Sequence, residues 1–171
     1  VPSMLAAFLT CLEDGRADLL ISSLNPDITL TGIKHQPLQE EVMLYVAHPD
    51  HPLHEEPEPL ADETLRRYRA IAIADTARRK PALTYRLLDK QPRLTVSTMG
   101  EKRDALLAGI GVGTMPLSWI EEDIKAGRLK VIGPEYRHQV QVVLAWRRDT
   151  MGKAKSWLVR EIPKLFPCKG E

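Results

Sequence analysis

The chain has 171 residues, enough for one large domain or two small lobes, and its 43% apolar content suffices for a core. A formal charge of +1 gives no electrostatic case for direct nucleic-acid binding, and no signal peptide or apolar run approaching about 18 residues supports secretion or membrane spanning. The two cysteines, Cys11 and Cys168, match no zinc or redox spacing, which fits reduced thiols in a cytoplasmic protein and implies neither metal nor cofactor.

Ser3 can cap a helix that runs to about Asp14, with Gly15 ending it. Met4, Leu5, Phe8, Leu9 and Leu12 recur at helical spacing on one face. Asp18 to Ser22 (DLLIS) is a short apolar run of the kind expected in a central parallel strand, with Ser22 and Ser23 at its carboxyl end. Asn25, Pro26 and Asp27 supply turn chemistry. Glu41 to Ala47 (EVMLYVA) is the next strand, followed by a proline- and acid-rich loop and a helix near Asp62 to Tyr68. His48, His51 and His54 are spaced as on one helix face, but Pro49 and Pro52 argue for a solvated loop instead of a metal site. Ala70 to Ala74 (AIAIA) is a short buried strand that ends at Asp75 and Thr76. Arg78, Arg79 and Lys80 precede a helix near Pro81 to Leu88.

The stretch Arg93 to Pro116 is the richest. Leu94 to Val96 reads as a strand. Thr98 and Glu101 then have the spacing of a capping box, in which the hydroxyl accepts from the third helical amide and the glutamate reaches back. Ala105, Leu106 and Leu107 continue the helix, Gly109 can stop it in a left-handed conformation, and Ile110 to Met115 forms another strand closed by Pro116. Leu117 to Ala126 is an amphipathic helix ended by Gly127. Leu129 to Ile132 and Val140 to Trp146 are strands. A last helix spans about Lys153 to Phe166, with Trp157, Leu158, Ile162 and Leu165 on its inner face and Pro163 ending or kinking it. Strands alternating with helices throughout define an α/β class with a largely parallel sheet.

Four phrases in register carry a resemblance: LEDGRADLLIS at Leu12 to Ser22, PLQEEVMLYVAHPDHPL at Pro37 to Leu53, DALLAGIGVGTMP at Asp104 to Pro116, and VQVVLAWRRD followed by the terminal helix. Together they resemble the effector-binding domain of LysR-type transcriptional regulators over essentially the whole chain. The resemblance implies a fold like type 2 periplasmic binding proteins, two α/β lobes with a small effector in the cleft between them. One lobe would combine residues 1–35 with 138–171, the other would span 36–137, with crossings near Ile33 to Leu38 and His138 to Val142. Measured against the family, a strand, helix and strand are expected before the Ser3 helix, as is an N-terminal winged helix-turn-helix. The chain therefore reads as a fragment, and DNA would be contacted only through that missing domain, in a homo-oligomeric full-length protein.

On this fold the candidate effector-binding residues are those just past strand ends: Ser22, Ser23, Asp75, Thr76, Arg78, Ser97, Thr98 and Thr114. Hydroxyls and amides there suit a small polar metabolite. If the hydroxyl of Thr98 serves a ligand, Thr98→Val should lower affinity and leave melting nearly unchanged. A transport solute-binding protein shares the fold and is the alternative reading. An enzyme is the weakest, because no nucleophile elbow, phosphate loop or metal spacing is present.

Overall fold

The computed structural model describes residues 11–24, 32–74, 87–148 and 151–166. These fall into two units. The first comprises residues 11–24, 32–41, 140–148 and 151–166; the second comprises 42–74 and 87–139. The start of the Ser3 helix, the Asn25 turn, the basic triplet, the helix expected near Pro81 and Cys168 lie outside the described residues.

In the first unit, residues 11–13 are helical and Gly15, at φ 71°, ends the turn as expected. Strand β1 (Leu19–Leu24) pairs antiparallel with β7 (His138–Arg147), from Leu19 opposite Trp146 to Leu24 opposite Gln141, and β7 neighbours β2 (Ile33–Ala47). Because side chains alternate along a strand, β7 feeds two cores. Val143 and Ala145 pack with Leu12 and Ile33, whereas Leu144 and Trp146 pack with Leu38. This two-sided burial explains the β-branched character of β7.

Among the described residues the DLLIS segment pairs antiparallel with β7, where a parallel strand was expected, and Ile21 is exposed. Apolar runs locate strands, but a run of this length cannot report direction or neighbours. Helix α4 (Lys153–Glu161) also differs from expectation. Val159 and Ile162 cover the Leu38–Trp146 cluster and Gln36 donates to the Val159 carbonyl at 2.9 Å, so the buried face runs through Lys155, Val159 and Ile162. Trp157 and Leu165 lie off it, 54% and 77% exposed. Pro163 does end the α-helix, which continues as a 3-10 turn over Ile162–Leu165.

In the second unit, the carboxyl half of β2 pairs antiparallel with β5 (Gly113–Pro116) and β6 (Lys130–Val131). β3 (Ala70–Ile73) pairs parallel with β4 (Arg93–Val96), and a parallel bridge joins Ala70 to Val112, whereas the β1–β7, β2–β5 and β2–β6 pairings are antiparallel, so the described strands are mixed and not largely parallel. Leu44 and Val46 of β2 point to one core with Ile71, Leu106, Met115 and Ile120. Tyr45 and Ala47 point to the other, with Leu53, Leu65, Val112, Ile132 and Tyr136. Burial on both faces is why EVMLYVA reads as continuous apolar sequence.

The helices of this unit are α1 (Asp62–Arg66), α2 (Met99–Leu107) and α3 (Leu117–Lys125). Gly109 and Gly127, both at φ 69°, terminate α2 and α3 as the sequence suggests. Gly111 is obligatory for another reason: a Cβ there would collide with the Arg69 carbonyl oxygen, which accepts from the Val112 amide. The histidine loop forms a 3-10 turn at Pro52–Glu55. It is capped by His51, whose Nδ1 accepts from the Leu53 amide at 3.2 Å.

Candidate functional site

Strand β4 delivers the chain to the N-terminus of α2, and the Thr98–Glu101 capping box forms there. Thr98 Oγ1 accepts from the Glu101 amide at 3.1 Å, and the Glu101 carboxylate accepts from the amides of Ser97 at 2.6 Å and Thr98 at 3.2 Å. Ser97 and Thr98 are both exposed. The Thr98 hydroxyl is therefore engaged in helix initiation, and its replacement costs stability whatever it also binds. The expectation that Thr98→Val would be silent in melting does not survive this geometry.

The other sequence-derived candidates are placed differently. Ser22 and Ser23 belong to the first unit, half-buried inside β1 and opposite Val143 and Val142, not past the strand end. The strand continues through Leu24, and consecutive residues face opposite sides of a sheet, so the two serines do not act as a pair. Asp75, Thr76 and Arg78 lie outside the described residues. Thr114 lies inside β5, opposite Tyr45, and not at its end. It is 4% exposed, and its hydroxyl meets no hydrogen-bond partner among the described residues. Among the described candidates, Ser97 and Thr98 alone stand together at a strand end.

Sequence reasoning missed Lys102. It sits one turn into α2 on the face that carries Ala105 and Leu106 into the core, and it is 3% exposed. Its stem lies against Gly113 of β5, where a Cβ would fall 3.0 Å from Lys102 Cε and 3.2 Å from the Ile71 carbonyl oxygen. Among the described residues its amine has neither an ion pair nor a hydrogen bond. Burial pushes the amine down to about 8, so it is still largely charged at neutral pH. The signal was available: a lysine three and four residues before Ala105 and Leu106 lies on their stripe.

The neighbouring Arg103 points the other way. Its Nε donates to Asp123 of α3 at 2.6 Å and its Nη2 at 2.8 Å, while Arg128 adds bonds of 2.9 and 2.7 Å to the same carboxylate. Burial pushes the Asp123 carboxyl up, but the two guanidiniums outweigh it and hold the group below the usual carboxylate range. This cluster locks α2 to α3.

In the histidine loop, the Asp50 amide donates to His48 Nδ1 at 3.2 Å, and His54 Nε2 lies 3.2 Å from the His48 carbonyl oxygen. The His51 ring rests on Tyr68, with centroids 5.3 Å apart. Partial burial, then His54 and His48, lower His51; partial burial and Lys130 lower His54, against His48 and Glu58. Among the described residues no group of three or more His, Cys, Asp or Glu is placed to hold a metal.

Two α/β units built from an interleaved chain, with a capped helix following a strand end in the second, define an α/β domain of the type 2 periplasmic-binding-protein-like class. The chain belongs to the LysR substrate binding domain family, whose model matches residues 4–166. It is 53% identical to the probable HTH-type transcriptional regulator YhaJ of Escherichia coli K12 over 172 aligned residues, covering 99% of this chain and 57% of that protein. It thus spans little more than half the length of that curated relative. The bromide-bound regulatory domain of HypT from Salmonella typhimurium superposes with a TM-score of 0.62 at 18% identity, covering 92% of this chain and 76% of that one. The full-length LysR-type regulator LysG of Corynebacterium glutamicum, with its effector Arg bound, gives 0.65 at 15% identity, covering 96% and 56%. The family is named for substrate binding and the relative for transcription regulation, neither for catalysis.

Proposed function

We propose that this domain senses a small polar metabolite and passes its occupancy to a winged helix-turn-helix elsewhere in a full-length, homo-oligomeric, cytoplasmic transcription regulator. The carrying observation is the 53% identity, over 99% of the chain, to a protein named as an HTH-type transcriptional regulator. Support for a polar ligand comes from the exposed strand end at Ser97 and Thr98 beside the start of α2. Helix N-termini favour anionic and polar groups. Ser22, Ser23, Asp75, Thr76, Arg78 and Thr114 remain part of the proposed effector-binding set. Effector occupancy would shift the domain between conformational states, and the attached DNA-binding domains would follow.

The test is thermal melting of the 171-residue domain against a metabolite panel. A binder should raise the melting temperature in a concentration-dependent way and be recovered chemically unchanged. It should also alter operator binding by the full-length protein. Conversion of the metabolite to product, or no stabilisation by any member of the panel, would overturn the reading.

A further inference from the structure

We propose that Lys102 is the anion-recognising residue of this domain and that its effector therefore carries a monoanionic group of the carboxylate type. The inference rests on the effector-binding reading and deepens it. A buried ammonium with no counter-charge is costly, and proteins normally pair such groups. Two features show that the position is built around the amine. The residue is 3% exposed on the core-facing side of α2. Its stem also occupies the space left by the missing side chain of Gly113, because a Cβ there would come within 3.0 Å of Cε.

The other charges on α2 are already engaged. Glu101 serves the Ser97 and Thr98 amides, Arg103 is held by Asp123, and the exposed Asp104 lies 4.0 Å from Arg103. Among the described residues Lys102 has no ion pair or hydrogen bond to its amine, and burial is what depresses it. One uncompensated positive charge balances one negative charge, which favours a carboxylate over a phosphate dianion. The same chemistry would accept a halide, and the experiment separates the two.

The experiment titrates the domain with formate, acetate, bromide and neutral acetamide, at constant ionic strength held with sulfate. Thermal melting and the 15Nζ resonance of Lys102 are both read. Formate and acetate are expected to raise the melting temperature and shift the resonance, and acetamide to do neither. Lys102→Met, which keeps the apolar stem, should still fold and should weaken the carboxylate response by about tenfold or more, as expected for loss of a charge-assisted hydrogen bond. Gly113→Ala, which crowds Cε without removing the amine, should weaken it as well. Response to bromide alone overturns the carboxylate assignment. Equal responses in wild type and Lys102→Met, or silence towards every anion, overturn the role of Lys102. If a metabolite still stabilises both proteins equally, the effector reading stands while this inference falls.

Discussion

Lys102 and Arg103 are chain neighbours on α2, yet the fold treats their charges in opposite ways. Arg103 meets a buried carboxylate in a bidentate fork, and Arg128 completes the cluster from beyond the end of α3. Lys102 is buried, with its stem against Gly113 of β5. Paired charge stabilises an interface between helices, whereas unpaired charge weakens the fold and is tolerated where something else uses it. Adjacent positions on a helix point about 100° apart, so one residue of register separates a structural cation from a functional one.

The sharpest way to break this contrast is Asp123→Ala. Loss of the carboxylate strands two guanidiniums at the α2–α3 contact and should cost about 3 kcal/mol or more, read as a lower denaturant midpoint. A negligible cost would mean that the cluster is ornamental. Lys102 should show the opposite sign. Its folded amine titrates near 8 against 10.5 in the unfolded chain, so the unfolded state binds more protons between these values and stability should rise with pH across that window. The gain should be on the order of 2–3 kcal/mol relative to Lys102→Met, which should be flat there. Matching pH profiles would show the amine to be solvated.

Thr98→Val tests a smaller, exposed arrangement in the same helix. It removes the cap to Glu101 and should cost about 1 kcal/mol, measured by chemical denaturation. The mildest effect belongs to the histidine loop. Both His51 and His54 are lowered in the folded state, so their contribution is intact above about 6.5 and fades as pH falls below it. His51→Gln should flatten that acid limb of the melting profile; an unaltered limb would assign the loss elsewhere.

Much of this was legible from sequence because it is local. The capping box, the glycine stops at Gly109 and Gly127, and the two-sided burial of EVMLYVA each depend on a few consecutive residues. Strand direction was not legible. The pairing of β1 with β7 joins residues more than a hundred positions apart, and a short apolar run such as DLLIS carries no record of its partner. The face of α4 was misjudged because large apolar residues surround the helix, and the Gln36 bond to Val159 that settles its rotation comes from another element. Of the candidate site, Ser97 and Thr98 were placed correctly because a strand end followed by a cap is a local pattern. Thr114 fell within its strand because β5 runs on through Pro116. Lys102 was overlooked because the candidates were sought just past strand ends, and it lies within a helix.

The interleaved connectivity bears on how the polypeptide emerges from the ribosome. β7 supplies the middle of the first unit's sheet, and its contribution begins at Val140, after every residue of the second unit has been synthesised. Strand β1 and the amino-terminal part of β2 therefore gain this neighbour only after the second unit has been made. A chain stopped at Gln139 should leave the second unit able to fold and the first, without most of β7, vulnerable to proteases.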